Sequence, residues 1–305
     1  MTFTPPAPQL LPDETTLGPV HLSVTDGERA KLFWTEYVGL TELPSADGSL
    51  RLGAGEKELI VLHPGAAGPV RSRHTGLYHV AIHLPGRKDL ARVVARLFAL
   101  RHPNSPTDHA ETEATYFSDP DGNGIELTFE TPERGELTMV GGQPVARMAD
   151  GSLQDGVAAL DVESLLSELS EEDDLRAPMP AGTRIGHVHV HVRDIDEAVH
   201  FYEQVLGFGP HLNMEQFRMA DFSLKTSFVP HAFAINTWQG AGAPRKPEDA
   251  AGLRHWTLQI PDEEAIREIE GRLSAADIAF TRKHDGVELT DPSGNPVHII
   301  NAPRT

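Results

Sequence analysis

Residues 186–208 read GHVHVHVRDIDEAVHFYEQVLGF, and residues 18–40 read GPVHLSVTDGERAKLFWTEYVGL. The two lines share one register: an alternating stretch, an acidic cap, an amphipathic stretch and a glycine turn. Ala198, Phe201, Tyr202 and Val205 match Ala30, Phe33, Trp34 and Tyr37 at the i, i+3, i+4, i+7 spacing of a buried helix stripe. The preceding alternation has the period of a strand, with Val188, Val190 and Val192 on one face and His187, His189 and His191 on the other. Three imidazoles on one strand cannot wrap a single ion. At most one or two of them are ligands, and any partners arrive from elsewhere in the chain.

Working outward, TGLYHVAIHLPGRKDLARVVARL (75–97) matches AGLRHWTLQIPDEEAIREIEGRL (251–273), again a strand leading into an amphipathic helix. A third pair, YFSDPDGNGIELTFE (116–130) and ELTDPSGNPVHIIN (288–301), reads as a hairpin around a D-P-x-G-N turn. The order is the same in both halves, so the chain is a duplication. The expected class is α+β, with four βαβββ modules starting near residues 18, 76, 185 and 252. Residues 1–17 form an N-terminal extension, 18–130 a first domain, 131–184 a connector and 185–305 a second domain. The connector carries the acidic run SEEDD (170–174) and one short helix capped by Asp161.

With 305 residues the chain can bury two cores of ordinary size. It contains no cysteine, which leaves His, Asp, Glu and water as metal ligands and excludes disulfides. Against 45 acidic residues stand 26 basic ones, a formal charge of −19 that disfavours nucleic acid and anionic membranes as partners. No apolar run approaches the roughly 20 residues of a membrane span, and the first residues lack a basic, then apolar, leader. The expected location is cytoplasmic.

The paired modules with DPDGNGIEL endings resemble the vicinal oxygen chelate superfamily of glyoxalase I, fosfomycin and bleomycin resistance proteins, and extradiol ring-cleaving dioxygenases. IGHVHVHV (185–192) and INTWQGAGAPRKPEDAAGLRHWTL (235–258) most resemble the two-domain catechol 2,3-dioxygenases. The resemblance covers about residues 18–301 and implies two tandem glyoxalase-like domains, each closing a cleft with ligands from three strands. In the C-terminal half those positions are His187, His255 and His298; in the N-terminal half they are Pro19, His79 and Glu126. Pro19 has no side-chain donor, and the two-domain dioxygenases keep their metal in the C-terminal half. The resemblance thus implies a metal on His187, His255 and His298, although His298 stands where relatives have a carboxylate. A different pairing, of the second module with the third, assembles His79, Glu126 and His187 instead.

The implied ion is Fe(II), with Mn(II) or Zn(II) as alternatives, and the implied substrates are a small aromatic diol and O2. On FVPHAFAINTW (228–238), His231 remains of the histidine-rich stretch that relatives carry, so His231 or His189 is the expected proton carrier. Relatives are often homo-oligomers, which the sequence neither requires nor contradicts. Two other readings share the fold: a non-catalytic binder of a small molecule or metal, and a glyoxalase-like isomerase or lyase.

Overall fold

A computed structural model describes residues 9–45, 48–227 and 231–303. Residues 1–8 of the N-terminal extension and residues 228–230 of the FVPHAFAINTW stretch lie outside the described residues. The four modules are present. Their helical segments are Gly27–Phe33, Arg87–Ala99, Ile195–His200 and Glu263–Ala275, and the first and third run on into single π-turns at Trp34–Val38 and Phe201–Leu206. Asp26, Asp194 and Asp262 cap three of these helices by accepting from the backbone N–H three residues on. Both π-turns stop at a glycine in the left-handed region, Gly39 (φ 97°) and Gly207 (φ 93°), where a side chain would be strained.

The D-P-x-G-N turns are built alike. Asp119 accepts from the backbone N–H of Asp121 and Asn123 and from the Asn123 side chain, and Asp291 accepts from the backbone and side chain of Asn295. Gly122 and Gly294 supply the positive φ that closes each turn.

Eight strands form one sheet, in the order Phe280–Arg282, Gly286–Thr290, Pro296–Asn301, Gly252–Ile260, Thr16–Val24, Lys57–Pro64, Leu50–Ala54, Thr41–Leu43. Nine form the other: Ala158–Ala159, Ser105–Asp108, Thr112–Ser118, Gly124–Glu130, Gly76–His83, Arg184–His191, Phe233–Asn236, Met219–Ser223, Gly209–Met214. These sheets do not follow the halves of the chain. The first strand of module one pairs antiparallel with the first strand of module four, and the first strand of module two with that of module three. Each sheet therefore draws one module from each half, which corrects the expectation that each half closes its own cleft.

The core lies behind the sheets, where Val188, Val190 and Val192 are fully buried beside Phe201, Tyr202, Phe233 and Trp256. The strand-borne imidazoles face away from it. Within the connector, the expected helix is Val162–Leu166, with Asp161 accepting from Ser164 N–H at 2.9 Å. The connector also holds a small three-stranded sheet, Gly135–Val140, Gln143–Met148 and Leu153–Asp155, and Ala158–Ala159 extends the nine-stranded sheet at its edge. Among the described residues no helix is long and apolar enough to cross a membrane.

A buried His, Glu, His centre in the cleft between modules two and three

Strand pairing brings three donors to one point. His79 lies on Gly76–His83, His187 on the antiparallel neighbour Arg184–His191, and Glu126 on the parallel neighbour Gly124–Glu130. His187 faces Ala81, and Ala81 faces Glu126, so one small side chain separates imidazole from carboxylate along the sheet. His79 Nε2 is 3.0 Å from His187 Nε2, and Glu126 Oε2 is 3.1 Å from the first and 3.0 Å from the second. All three residues are buried.

The donor set fits a divalent ion. Two cis donors on an octahedral ion, each about 2.1 Å from it, stand about 3.0 Å apart, the separation found here for all three pairs. Burial, helped by the neighbouring His187 and opposed by Glu126, lowers the His79 imidazole to about 3, so it is neutral at physiological pH. Burial alone would raise the Glu126 carboxyl, but the charge and hydrogen bond of His187, with His79, outweigh it and hold the group well below the usual carboxylate range. The centre thus carries a buried negative charge, and no lysine or arginine is among the residues lining the cleft. Among the described residues Glu126 Oε2 faces only the two imidazoles, at ion-pair distance and without a well-aligned hydrogen bond. A buried carboxylate oxygen so placed is costly unless a cation meets it.

Neighbouring groups fix these side chains. Thr128 donates to the other carboxylate oxygen, Glu126 Oε1, at 2.9 Å. Tyr116 stands opposite Glu126 in the sheet, its hydroxyl 3.0 Å from His109 Nε2. His109 Nδ1 faces the Gly156 carbonyl at 3.2 Å and must donate there, so Nε2 accepts from Tyr116. Burial and the Glu126 charge keep the Tyr116 hydroxyl protonated far above its ordinary range.

Both expected proton carriers stand beside the centre. The His231 ring is 4.4 Å from that of His187, its Nδ1 is buried without a hydrogen-bond partner, and burial with the adjacent His187 lowers it to about 3. His189 is differently placed. Trp238 N–H donates to Asn236 Oδ1, which fixes the amide orientation, so Asn236 Nδ2 donates to His189 Nε2 at 2.8 Å. The His189 lone pair at Nε2 is therefore occupied and its proton sits on Nδ1.

His255 and His298 are not part of this centre. They lie on the eight-stranded sheet, with His21 and His63, and the grouping of His187 with both of them is not what the strands bring together. The reason is the choice of strand partner: His187 is carried into a cleft with module two, whereas His255 and His298 belong to module four. The second pairing weighed from sequence, His79 with Glu126 and His187, is the arrangement found. Tyr116 and Asn236 escaped sequence reading because their roles depend on cross-strand neighbours.

Gly186 is the backbone feature that makes room for the rings. A Cβ there would fall inside the His83 imidazole, whose ring meets that of His187 edge-on at 5.7 Å. Gly186→Ala is expected to cost about 1–3 kcal/mol through overpacking and to displace His83. A thermal melt unchanged from the parent protein would refute this account.

Beneath the centre, Glu130 binds His83 Nδ1 at 2.9 Å and Arg184 at 2.7 Å. Burial alone would raise Glu130, but His83 and Arg184 outweigh it and lower the carboxyl from 4.5 to about 2. Burial keeps His83 itself lowered, so the neutral-pH charge opposite Glu130 is that of Arg184. A depressed carboxylate contributes stability that is present above the unfolded value and lost as pH falls through the folded one. Between pH 4.5 and about 2 the protein should lose about 1–2 kcal/mol from this group, after allowance for partial solvent screening. Denaturant titrations of Glu130→Gln across that window should show a flatter acid limb than the parent.

Comparison with known proteins gives a consistent picture. Residues 16–127 and 184–299 match the family model described as Glyoxalase/Bleomycin resistance protein/Dioxygenase superfamily. A catechol-2,3-dioxygenase of Bacillus subtilis (strain 168) is 33% identical over 283 residues, 92% of this chain and 95% of that protein. Among solved structures, a putative dioxygenase from Bacillus subtilis subsp. subtilis str. 168 superposes with a TM-score of 0.63 at 15% identity, covering 95% of this chain and 86% of that one. Glyoxalase I from Zea mays gives 0.57 at 14% identity, covering 94% and 93%. At those identities the two structures speak for the fold alone.

Proposed function

Because the chain belongs to the Glyoxalase/Bleomycin resistance protein/Dioxygenase superfamily, we propose that it is a metal-dependent extradiol dioxygenase whose ion is held by His79, Glu126 and His187. The observation that carries this reading is the convergence of two buried imidazole nitrogens and one carboxylate oxygen at 3.0–3.1 Å. Two histidines and one carboxylate on one face are the donor set of non-haem Fe(II) oxygenases, with Mn(II) as the alternative. Such an ion would supply a chelation point for a catechol and for O2 side by side and a path for electrons between them. The 33% identity to a catechol-2,3-dioxygenase supports ring cleavage over the isomerase or lyase chemistry of glyoxalase relatives.

The chain's own residues bind, orient and move protons. The cleft has a volume of about 400 Å³, and its outer walls are apolar, with Leu137 and Pro144 from the connector sheet facing Met214, Phe217, Met219 and Trp238. That volume is in the range of pockets for ligands larger than one bare ring. Apolar walls without a lysine or arginine favour a neutral catechol bearing an apolar substituent over one bearing a carboxylate, which would enter unpaired. His231 is the base we assign to the catechol hydroxyl: it is neutral, buried and without a hydrogen-bond partner at Nδ1 among the described residues, and it returns that proton to an oxygen of the ring-opened product. His189, with Nε2 occupied, instead packs against His79 and Tyr78 and shapes the cleft.

The test is oxygen uptake by metal-free protein loaded anaerobically with Fe(II) and offered 3-alkyl or 3-aryl catechols. The expected result is one O2 consumed per catechol, with both atoms in the ring-opened product, and slower turnover of carboxylated catechols. Metal binding without oxygen uptake on any catechol would overturn the dioxygenase reading and leave the isomerase or binding alternatives.

A further inference from the structure

One face of the eight-stranded sheet carries imidazoles at the positions corresponding to the first centre. In register, His21 faces His255 across the seam between modules one and four, as His189 faces His79 across the other seam. His298 occupies the place of Glu126, and His63 the place of Asn236. Pro19 stands where His187 would be, so a third donor on that strand has to come from its neighbour, His21.

The four rings form one continuous group. His21 Nδ1 lies 2.9 Å from His63 Nε2, the His21 and His255 rings stack at 3.9 Å, and the His255 and His298 rings meet edge-on at 5.5 Å. His298 Nε2 is buried without a hydrogen bond, its nearest carboxylate oxygen being that of the exposed Asp285 at 3.6 Å. Arg254 adds positive charge nearby from an exposed position, where water and salt screen it.

From this grouping of His21, His63, His255 and His298 we propose a second metal site, distinct from the first and specific for a borderline divalent ion such as Zn(II), Ni(II) or Cu(II). An all-imidazole set has no carboxylate to offset the ion's charge, so it favours these late ions over Fe(II) or Mn(II), in line with the rise in affinity along the first row. Unlike the donors of the first centre, these nitrogens do not yet converge on one point, so binding an ion would require the rings to rotate. Such an ion would be structural or regulatory, apart from the one at the first centre.

The experiment counts ions. Untagged full-length protein, stripped with chelator, is dialysed to equilibrium against Zn(II) and its metal content measured. The expected result is two ions per chain for the parent, one for His79→Ala/Glu126→Gln and one for His255→Ala/His298→Ala, with none when the pairs are combined. Thermal melts check that each variant folds, and His255→Gln/His298→Gln repeats the test with smaller packing loss. One ion in the parent that disappears with His79→Ala/Glu126→Gln overturns the proposal, as does a second ion that survives both His255/His298 double variants. Because the two pairs are altered separately, loss of the first site alone leaves the second readable.

Discussion

Glu126→Gln is expected to lower metal affinity by more than about 100-fold and to abolish oxygen uptake with it. The substitution is nearly isosteric, and an amide oxygen can still accept from Thr128 as Glu126 Oε1 does now. What disappears is the single negative charge that the two imidazoles face at 3.0 and 3.1 Å. The metal-free protein should meanwhile lose only modest stability, because the histidines that hold the Glu126 carboxyl low favour its charged form while its burial opposes it. Melting temperatures measured with and without added Fe(II) separate these effects. The parent should gain stability with metal, as any ligand bound only by the folded state confers, and Glu126→Gln should gain little. Equal metal content in the two proteins would remove Glu126 from the centre, and a large stability loss in the metal-free variant would make its role structural.

His231→Gln should leave the metal in place and reduce turnover by about 10²–10⁴-fold, the usual span for loss of a positioned acid or base. His231 packs against His187 with the two rings tilted, and it supplies no atom to the His79, Glu126, His187 triangle. Metal content and substrate KM should therefore change far less than kcat. His189→Gln is the internal control: its Nε2 already accepts from Asn236, so the loss should be smaller than at His231. If His189→Gln proves the more damaging for kcat while metal content is held, the two roles must be exchanged.

Much of this protein was legible without coordinates. The duplicated register of residues 18–40 and 186–208, the two D-P-x-G-N turns and the helix stripes are local patterns, and local sterics and hydrogen bonding settle them. Ala198, Phe201, Tyr202 and Val205 are buried as their spacing requires, and Asp161 caps its helix. The polar face of residues 187–191 was also readable, since period-two alternation places the imidazoles opposite the valines whatever they face. The connector was less so: its Gly135–Val140 and Gln143–Met148 strands pack only lightly, and sequence showed just an acidic run and a helix.

By itself, the sequence determined the modules, the α+β class, the family and the pool of candidate ligands, because each rests on patterns within a few turns or strands of chain. Only tertiary structure decided which ligands meet. Alternation tells which face a histidine occupies but not which strand lies beside it, and every module's first strand offers the same kind of edge. The backbone hydrogen bonds that join Gly76–His83 to Arg184–His191, and Thr16–Val24 to Gly252–Ile260, made that choice. They set His187 with His79 and Glu126, and left His255 and His298 on the other sheet.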